Sequence, residues 1–243
     1  MKVLKFGGSS LKNAEAIKQM SQIVSSSESQ CCVVVSAIGD TTDELQAIAE
    51  QAQKDDESYK ESLATLQAFH EKLYQDLTGK EASAELVAAF DHLRRVCGGV
   101  FLLKELTHKS LDFILGSGEI ASSIIVSAFL ESQQLKVKRF DTRQYIVTNG
   151  HFGDASVDFA STTNQLNRVS KEFSAINVFP GFVAATATGE MTTLGRGGSD
   201  YTAAIIASAL DSGMLEIWTD VDGIMTADPR RVKRSHTLDQ VSY

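Results

Sequence analysis

The sequence predicts an α/β fold, an open and mostly parallel sheet with helices on both faces. Short apolar strands alternate with helical patterns, and glycine-rich turns follow or separate several of them. The run Cys31–Val35 is apolar throughout, which is typical of a parallel strand covered on both faces. Because ligands of such sheets bind at the carboxyl ends of the strands, we expect a functional site at this edge.

The first elements form a strand–turn–helix–strand unit. Val3–Phe6 is a short apolar strand that leads into a turn with the sequence GGSS. Apolar residues then recur at helical spacing, at Ala16, Ile17, Met20, Ile23 and Val24. With Cys31–Val35 as the second strand, this unit begins a parallel sheet with a right-handed crossover.

A long helical block follows, from about Glu44 to Lys109. Two apolar stripes mark it, one at Leu63, Leu66, Leu73 and Leu77, the other at Leu86, Val87, Phe90, Leu93 and Val96. We interpret the stripes as core packing. We expect a helical insertion or subdomain at about 44–110, beside the site.

Helices and strands alternate in the rest of the chain. Helices are predicted across Ile120–Phe129 and Ala203–Leu210. Strands are predicted at Lys136–Asp141, Gln144–Thr148, Ile176–Phe179, Glu190–Leu194 (as a hairpin arm) and Leu215–Thr219.

Charge and cysteine content limit the classes of function. The net charge of −8 argues against a nucleic-acid partner, which would need a basic face. The cysteines Cys31, Cys32 and Cys97 are odd in number and have no framework spacing, which favours a reducing compartment. The N terminus has no secretory signal, and no apolar stretch approaches the length needed to span a bilayer. We therefore expect a cytoplasmic protein without a membrane partner.

The first chemical motif is KFGGSS at residues 5–10. Its lysine ends a strand at the ligand edge, and Gly7 and Gly8 let the backbone approach a phosphate closely. Lys5 could then neutralise charge on a transferring phosphoryl group. A tight strand-to-helix turn beside a surface lysine would give the same pattern. No Walker A motif occurs in the chain.

A second motif, TTLGRGGSD at residues 192–200, stands directly before a predicted helix. Glycines at a helix N terminus form an anion site, and Arg196 can grip a carboxylate through two hydrogen bonds. Ser199 or Asp200 could instead serve only as the helix cap. A third motif, WTDVDGI at 218–224, ends a strand and could bind a nucleotide or form a simple Asp-Gly turn.

Five segments together resemble the aspartokinases of the amino acid kinase superfamily. They lie in the family's order and span nearly the whole chain: KFGGSS at 5–10, VVVSA at 33–37, GSGE at 116–119, TTLGRGGSDYTAA at 192–204 and WTDVDGIMTADPR at 218–230. The resemblance implies ATP-dependent phosphorylation of the side-chain carboxylate of L-aspartate, with Mg²⁺ bridging the ATP phosphates.

The resemblance also implies roles for individual residues. Lys5 would be the catalytic stabiliser of the phosphoryl group, organised by Asp200. The nucleotide would be bound by Lys5, Gly7, Gly8, Ser9, Thr219, Asp220, Met225 and Arg230. The substrate would be bound by Ser36, Thr42, Glu119, Phe182, Arg196 and Ser199, with Glu119 on its ammonium group and Arg196 on its α-carboxylate.

The sequence departs from the family pattern in two places. Val33–Ala37 is followed by IGDTTD at 38–43 instead of the more usual I-T-N ending, so Thr41 or Thr42 could be the substrate contact, and we prefer Thr42. Family members usually continue with an AKVLHP-like segment and paired ACT domains, and some are fused to a homoserine dehydrogenase. We expect this chain to be the N-terminal part of a longer, homo-oligomeric protein.

Three alternatives remain at this point. GSGEIA at 116–121, with Asp141 following 20 residues later, has the spacing of a nicotinamide-dinucleotide fingerprint and would indicate an oxidoreductase. A different superfamily member would phosphorylate another carboxylate, a carbamate or a nucleotide. Finally, the chain could fold as a kinase domain without turning over.

Overall fold

The computed structural model describes residues 1–27, 29–220, 223–227, 231–232 and 234–241. The strands are β1 Lys2–Phe6, β2 Cys31–Val35, β3 Val137–Arg139, β4 Val147–Thr148, β5 Ile176–Pro180, β6 Val183–Thr186, β7 Met191–Thr193 and β8 Met214–Trp218. The helices are α1 Ala14–Ser25, α2 Thr41–Gln53, α3 Tyr59–Thr78, α4 Ala84–Leu103, α5 His108–Ser132, α6 Phe159–Val169 and α7 Gly198–Ala209. Short 3₁₀ turns lie at Gly8–Leu11, Thr142–Gln144 and Ser170–Glu172.

The main sheet has five parallel strands in the order β3-β5-β2-β1-β8. Lys5 on β1 lies between Val34 on β2 and Ile217 on β8. A smaller sheet has the order β4-β6-β7, with β4 parallel and β7 antiparallel to β6. The predicted fold, a mostly parallel sheet flanked by helices, is confirmed.

Both faces of the main sheet are covered, which explains its apolar strands. Leu4 and Val33 point to the face packed by α1–α5, whereas Val3 and Val34 point to the face packed by α6 and α7. The cysteines are buried among these layers, and burial raises the pKa of Cys31 to about 11 and of Cys32 and Cys97 to about 12. They are therefore protonated, small apolar residues at neutral pH.

The predicted helical block is divided into separate helices by local capping signals. α3 ends at Gly79, whose φ of 71° is the left-handed conformation that closes many helices. α4 begins after Ser83 and α5 after Thr107, whose hydroxyls accept from the Leu86 and Ser110 amides. These helices share one core with the sheet.

Two predicted strands are shorter in the structure. The segment predicted from Lys136 to Asp141 is a strand only over Val137–Arg139, and the one predicted from Gln144 is a strand only at Val147–Thr148. A 3₁₀ turn lies between the two strands and shortens them. The Asp141 carboxylate caps this turn by accepting a hydrogen bond from the Arg143 amide.

The nicotinamide-dinucleotide alternative is wrong. A dinucleotide fingerprint needs its glycines at a strand-to-helix turn, but Gly116 and Gly118 lie in the interior of α5. Gly116 instead allows close packing, since a Cβ there would collide with Val183 and Met191. Residues 108–115 are helix, so the residues immediately before the motif do not form the strand that the fingerprint needs.

The expectation that no apolar stretch approaches bilayer-spanning length is wrong for α5, whose 25 residues are long and apolar enough to cross a membrane. Most of it is buried inside the protein against the sheet and its neighbouring helices. A helix at the centre of a globular core meets the same criteria.

His70 makes the stability of the helical layer dependent on pH. It is fully buried, its Nδ1 lies 2.8 Å from the Leu66 carbonyl oxygen, and burial lowers its pKa to about 4. The unfolded chain binds this proton near pH 6.5, so stability carried by the neutral imidazole is present above pH 6.5 and lost as the pH falls towards 4. This difference in pKa between the unfolded and folded states corresponds to about 3 kcal/mol of unfolding free energy.

We expect His70→Phe to flatten the dependence of the unfolding free energy on pH between 4 and 6.5. Urea unfolding at several pH values measures it. Unfolding at neutral pH reports the change in packing and the loss of the contact with the Leu66 carbonyl oxygen, because the imidazole is uncharged there. A variant that loses as much stability in acid as the original chain would contradict this role of His70.

Candidate active site

A cavity of about 500 Å³ opens at the carboxyl ends of the central strands and the N terminus of α7. Its walls come from the turns after β1, β2 and β5, from one face of α5, and from the loop between β7 and α7. It is lined by the predicted residues Lys5, Gly8, Ser36, Thr42, Glu119, Phe182, Arg196, Ser199 and Asp200. Nine predicted site residues from five segments of the chain therefore meet in one place.

An ion pair between Lys5 and Asp200 joins the two glycine motifs. Lys5 Nζ lies 2.7 Å from Asp200 Oδ1. The Lys5 side chain is only 10% exposed, whereas that of Asp200 is 47% exposed and faces the cavity. Because a buried ammonium group is costly without a partner of opposite charge, the Asp200 carboxylate stabilises Lys5 in this position.

The first glycine turn is tightly packed against its neighbours. A Cβ on Gly8 would lie 2.9 Å from the Gly39 carbonyl oxygen and 3.0 Å from that of Ala37, so only glycine fits. The Gly7 N–H donates to the Trp218 carbonyl oxygen at 3.1 Å. A Cβ on Gly7 would lie 3.4 Å from Lys5 Nζ, and the Gly7 N–H holds the turn against β8.

The second glycine turn presents Arg196. Gly195 and Gly197 have φ values of 72° and 69°, the left-handed conformation that favours glycine, and Arg196 stands exposed between them. Within the described ranges no ion pair engages its guanidinium. Arg196 is thus a cation at the cavity with its hydrogen-bonding capacity available to an anion.

Phe182 is held in a strained conformation beside the second turn. Its φ is 65°, unusual for an aromatic residue. Its N–H donates to Thr202 Oγ1 at 2.9 Å, and its carbonyl oxygen accepts from the Leu194 amide at 3.0 Å. Such strain persists where the surroundings enforce it, and is common at ligand sites.

Glu119 is a buried carboxyl group that faces the cavity. It is 4% exposed, and its Oε2 has no hydrogen-bond partner among the described residues. Burial raises its pKa to about 8, opposed by the Ala37 backbone amide and the positive charge of Lys5. A cationic ligand group would compensate this burial.

Asp112 is a cavity residue that the sequence analysis missed. It is 1% exposed and accepts from the Gly153 amide at 2.9 Å, the Thr193 amide at 3.1 Å and Thr193 Oγ1 at 2.7 Å. Burial raises its pKa above the ordinary range, against these hydrogen bonds. No motif marks it, because its partners lie 41 and 81 residues away in the sequence.

The predicted nucleotide residues lie partly in a second cavity of about 300 Å³, between α1 and the end of β8. Ser9, Thr219 and Asp220 line it, beside the stacked rings of Phe6 and Trp218. Met225 instead pairs with Thr237 in a short antiparallel bridge and lines neither cavity. Arg230 lies outside the described residues.

The two threonines after β2 are placed differently relative to the first cavity. Thr42 lines the first cavity, whereas Thr41 is 3% exposed and does not appear among the lining residues.

A sequence model of the amino acid kinase family matches residues 1–243, the full length of the sequence. The chain belongs to the amino acid kinase family. Among curated family members, it is 32% identical to a bifunctional aspartokinase/homoserine dehydrogenase of Buchnera aphidicola, over 100% of this chain and 31% of that protein. It is also 32% identical to lysine-sensitive aspartokinase 3 of Escherichia coli, over 99% of this chain and 54% of that protein.

Solved structures of the family have the same fold. The crystal structure of E. coli aspartokinase III in complex with aspartate and ADP matches with a TM-score of 0.88 and 29% identity, covering 98% of this chain and 53% of that one. The complex of that enzyme with lysine and aspartate matches with a TM-score of 0.85 and 29% identity, over 99% and 54%. The chain thus spans 31% to 54% of the length of these relatives. The predicted resemblance to the aspartokinases is confirmed.

Proposed function

We propose that this chain is the catalytic part of an aspartokinase, which transfers the γ-phosphoryl group of ATP to the side-chain carboxylate of L-aspartate. The product would be 4-phospho-L-aspartate, the first intermediate of aspartate-family amino-acid biosynthesis. The observation that carries the proposal is the Lys5–Asp200 ion pair, placed between two glycine turns in a cavity that also contains Glu119 and Arg196. Relatives named aspartokinase, one solved with aspartate and ADP, support it.

The cavity offers opposite charges to the two charged groups of an α-amino acid. Glu119, buried and without a partner for Oε2 among the described residues, would receive the ammonium group. Arg196 would bind the α-carboxylate through two hydrogen bonds. Ser36, Thr42, Phe182 and Ser199, which line the same cavity, would enclose the remaining substrate atoms.

The chemistry requires positioning more than proton transfer. A side-chain carboxylate is already a nucleophile at neutral pH, so no strong general base is needed. One of its oxygens would form the new bond to the γ-phosphorus as the bond to the ADP oxygen breaks. Two anions must approach each other, and Lys5 would stabilise the charge that they share. Asp200 would hold the Lys5 ammonium group at the reacting phosphoryl group.

The nucleotide would lie along the turn after β1. Gly7 and Gly8 would allow its phosphates to approach Lys5, and Ser9, Thr219 and Asp220 would reach it from the second cavity. Met225 and Arg230 belong to this proposal through the family motif alone. Mg²⁺ would be held mainly by the ATP phosphates and, when bound, would neutralise part of their charge. The described residues contain no cluster of three or more His, Cys, Asp or Glu side chains that could hold a metal without the nucleotide.

We further propose a cytoplasmic location and, for the full-length protein, assembly of identical subunits. The helical layer formed by α2, α3 and α4 would serve as a subdomain beside the site.

The direct test of the activity is ATP-dependent formation of aspartyl hydroxamate when hydroxylamine is present. We expect product with L-aspartate and much less with succinate, which lacks the ammonium group that Glu119 would bind. A chain that binds ATP and aspartate without forming product would support a folded but inactive domain. Efficient product formation from another carboxylate, and none from aspartate, would indicate a different member of the superfamily.

Replacing Lys5→Ala should lower kcat by roughly 100- to 1000-fold, the range typical of a lost transition-state stabiliser. The KM for aspartate should change little, because Lys5 would act on the phosphoryl group. Lys2→Ala is a matched control on the same strand, since Lys2 pairs with Glu216 at 3.0 Å away from the cavity. Steady-state kinetics of both variants measure this, and an unaltered kcat for Lys5→Ala would exclude its assigned role.

Arg196→Ala should raise the KM for aspartate by roughly 10- to 100-fold, corresponding to the loss of charge-assisted hydrogen bonds. The KM for ATP should stay within about threefold. Arg94→Ala, at an exposed arginine that pairs with Asp91 on α4, controls for the loss of a surface charge. An aspartate KM equal to that of the original chain would rule out Arg196 as the carboxylate contact.

The affinity for aspartate should rise with pH up to about 8. Below that value the free Glu119 carboxyl is protonated, and it must lose its proton to pair with an ammonium group. Affinity should therefore fall by up to about tenfold for each pH unit below 8. Calorimetry in buffers of different ionisation enthalpy should detect proton release on binding. In Glu119→Gln, binding should be weak and should lose this pH dependence; binding to the original chain without proton release would contradict the pairing.

A further inference from the structure

We propose that Asp112 is a positioning residue that fixes the distance between Glu119 and Arg196, and so sets the geometry of aspartate binding. This inference rests on the proposed function. Asp112 would act through the backbone of other residues, because its carboxylate oxygens are already engaged by protein donors.

Asp112 and Glu119 lie on the same helix, α5. Asp112 precedes Glu119 by seven residues, which is close to two helical turns, so both side chains lie on one face of the helix. Both are buried and both line the first cavity. α5 therefore carries the proposed ammonium contact and this carboxylate on a single rigid element.

The Asp112 carboxylate binds two segments outside α5. Its Oδ2 accepts from the amides of Gly153 and Thr193, and its Oδ1 accepts from the Thr193 hydroxyl. The Ala155 amide in turn donates to the Thr193 carbonyl oxygen at 3.0 Å. One buried carboxylate thus ties α5 to the end of β7 and to the loop at Gly153, where two separate segments meet.

The hydrogen bonds of Asp112 restrict the turn that carries Arg196. Arg196 lies three residues after Thr193, between Gly195 and Gly197, and a turn with two glycines gives it little stiffness of its own. The α-carboxylate and ammonium groups of an amino acid are a fixed distance apart. Binding both requires Arg196 to be held relative to Glu119, and Asp112 is the charged link between their segments. A misplacement of about 1 Å at such a contact can cost on the order of 100-fold.

The test compares Asp112→Ala with Asp112→Asn in the 243-residue chain. In the alanine variant, both the KM and the calorimetric Kd for aspartate should rise roughly 10- to 100-fold. Its kcat and its KM for ATP should stay within about threefold of the original values. The asparagine variant should recover most of this loss. Its amide oxygen can accept from both backbone amides, and the Thr193 hydroxyl can turn to accept from its NH₂ group.

A double-mutant cycle separates positioning from general destabilisation. If Asp112 acts by placing Arg196, the double variant Asp112→Ala/Arg196→Ala should bind aspartate less than about threefold more weakly than Arg196→Ala alone. Fully additive losses, a loss confined to kcat, or an asparagine variant as poor as alanine would each overturn the inference.

Amide hydrogen exchange distinguishes failure of this inference from failure of the proposed function. Exchange at Gly153, Thr193 and the following turn should be faster in Asp112→Ala than in the original chain, whether or not the chain turns over. Unchanged exchange would overturn the anchoring role by itself. An original chain that neither binds aspartate nor forms hydroxamate would instead overturn the proposed function, and with it the part of Asp112 in spacing the substrate contacts.

Discussion

The ion pair between Lys5 and Asp200 joins the end of β1 to the first turn of α7. Lys5 is almost fully buried, and a buried ammonium group is tolerated only with a partner of opposite charge. This requirement brings the start of α7 to the carboxyl edge of the sheet. The glycines beside both residues let two stretches of backbone approach the same small space, so the cavity between them follows from the pairing.

The other charges of the cavity are arranged differently. Arg196 and Glu119 are not satisfied by protein ion pairs among the described residues, and the Glu119 carboxyl is buried at a cost that its raised pKa reflects. Phe182 is similarly held in a strained conformation. Local features that oppose stability therefore cluster at one end of a well-packed fold, which is the pattern expected of a ligand site.

The parts of the fold that sequence patterns predicted are those governed by local rules. Alternating apolar strands and glycine turns located β1, β2, β5 and α7 to within a few residues. The extension of α5 through two glycines was missed, because glycine weakens a helix locally. Close packing explains the glycines, as at Gly116, which lies against Val183 and Met191. Asp112 was missed for the same reason, since its function depends on contacts between distant segments.

The central claim is that both glycine turns serve one ligand pair across the Lys5–Asp200 ion pair. A crystal structure with a non-hydrolysable ATP analogue, Mg²⁺ and L-aspartate tests it most directly. We expect the terminal phosphoryl group of the analogue beside Lys5 and the amino acid between Glu119 and Arg196. The side-chain carboxylate of the amino acid should face the phosphorus atom of that phosphoryl group. A nucleotide bound away from Lys5, or aspartate bound outside the cavity, would contradict it.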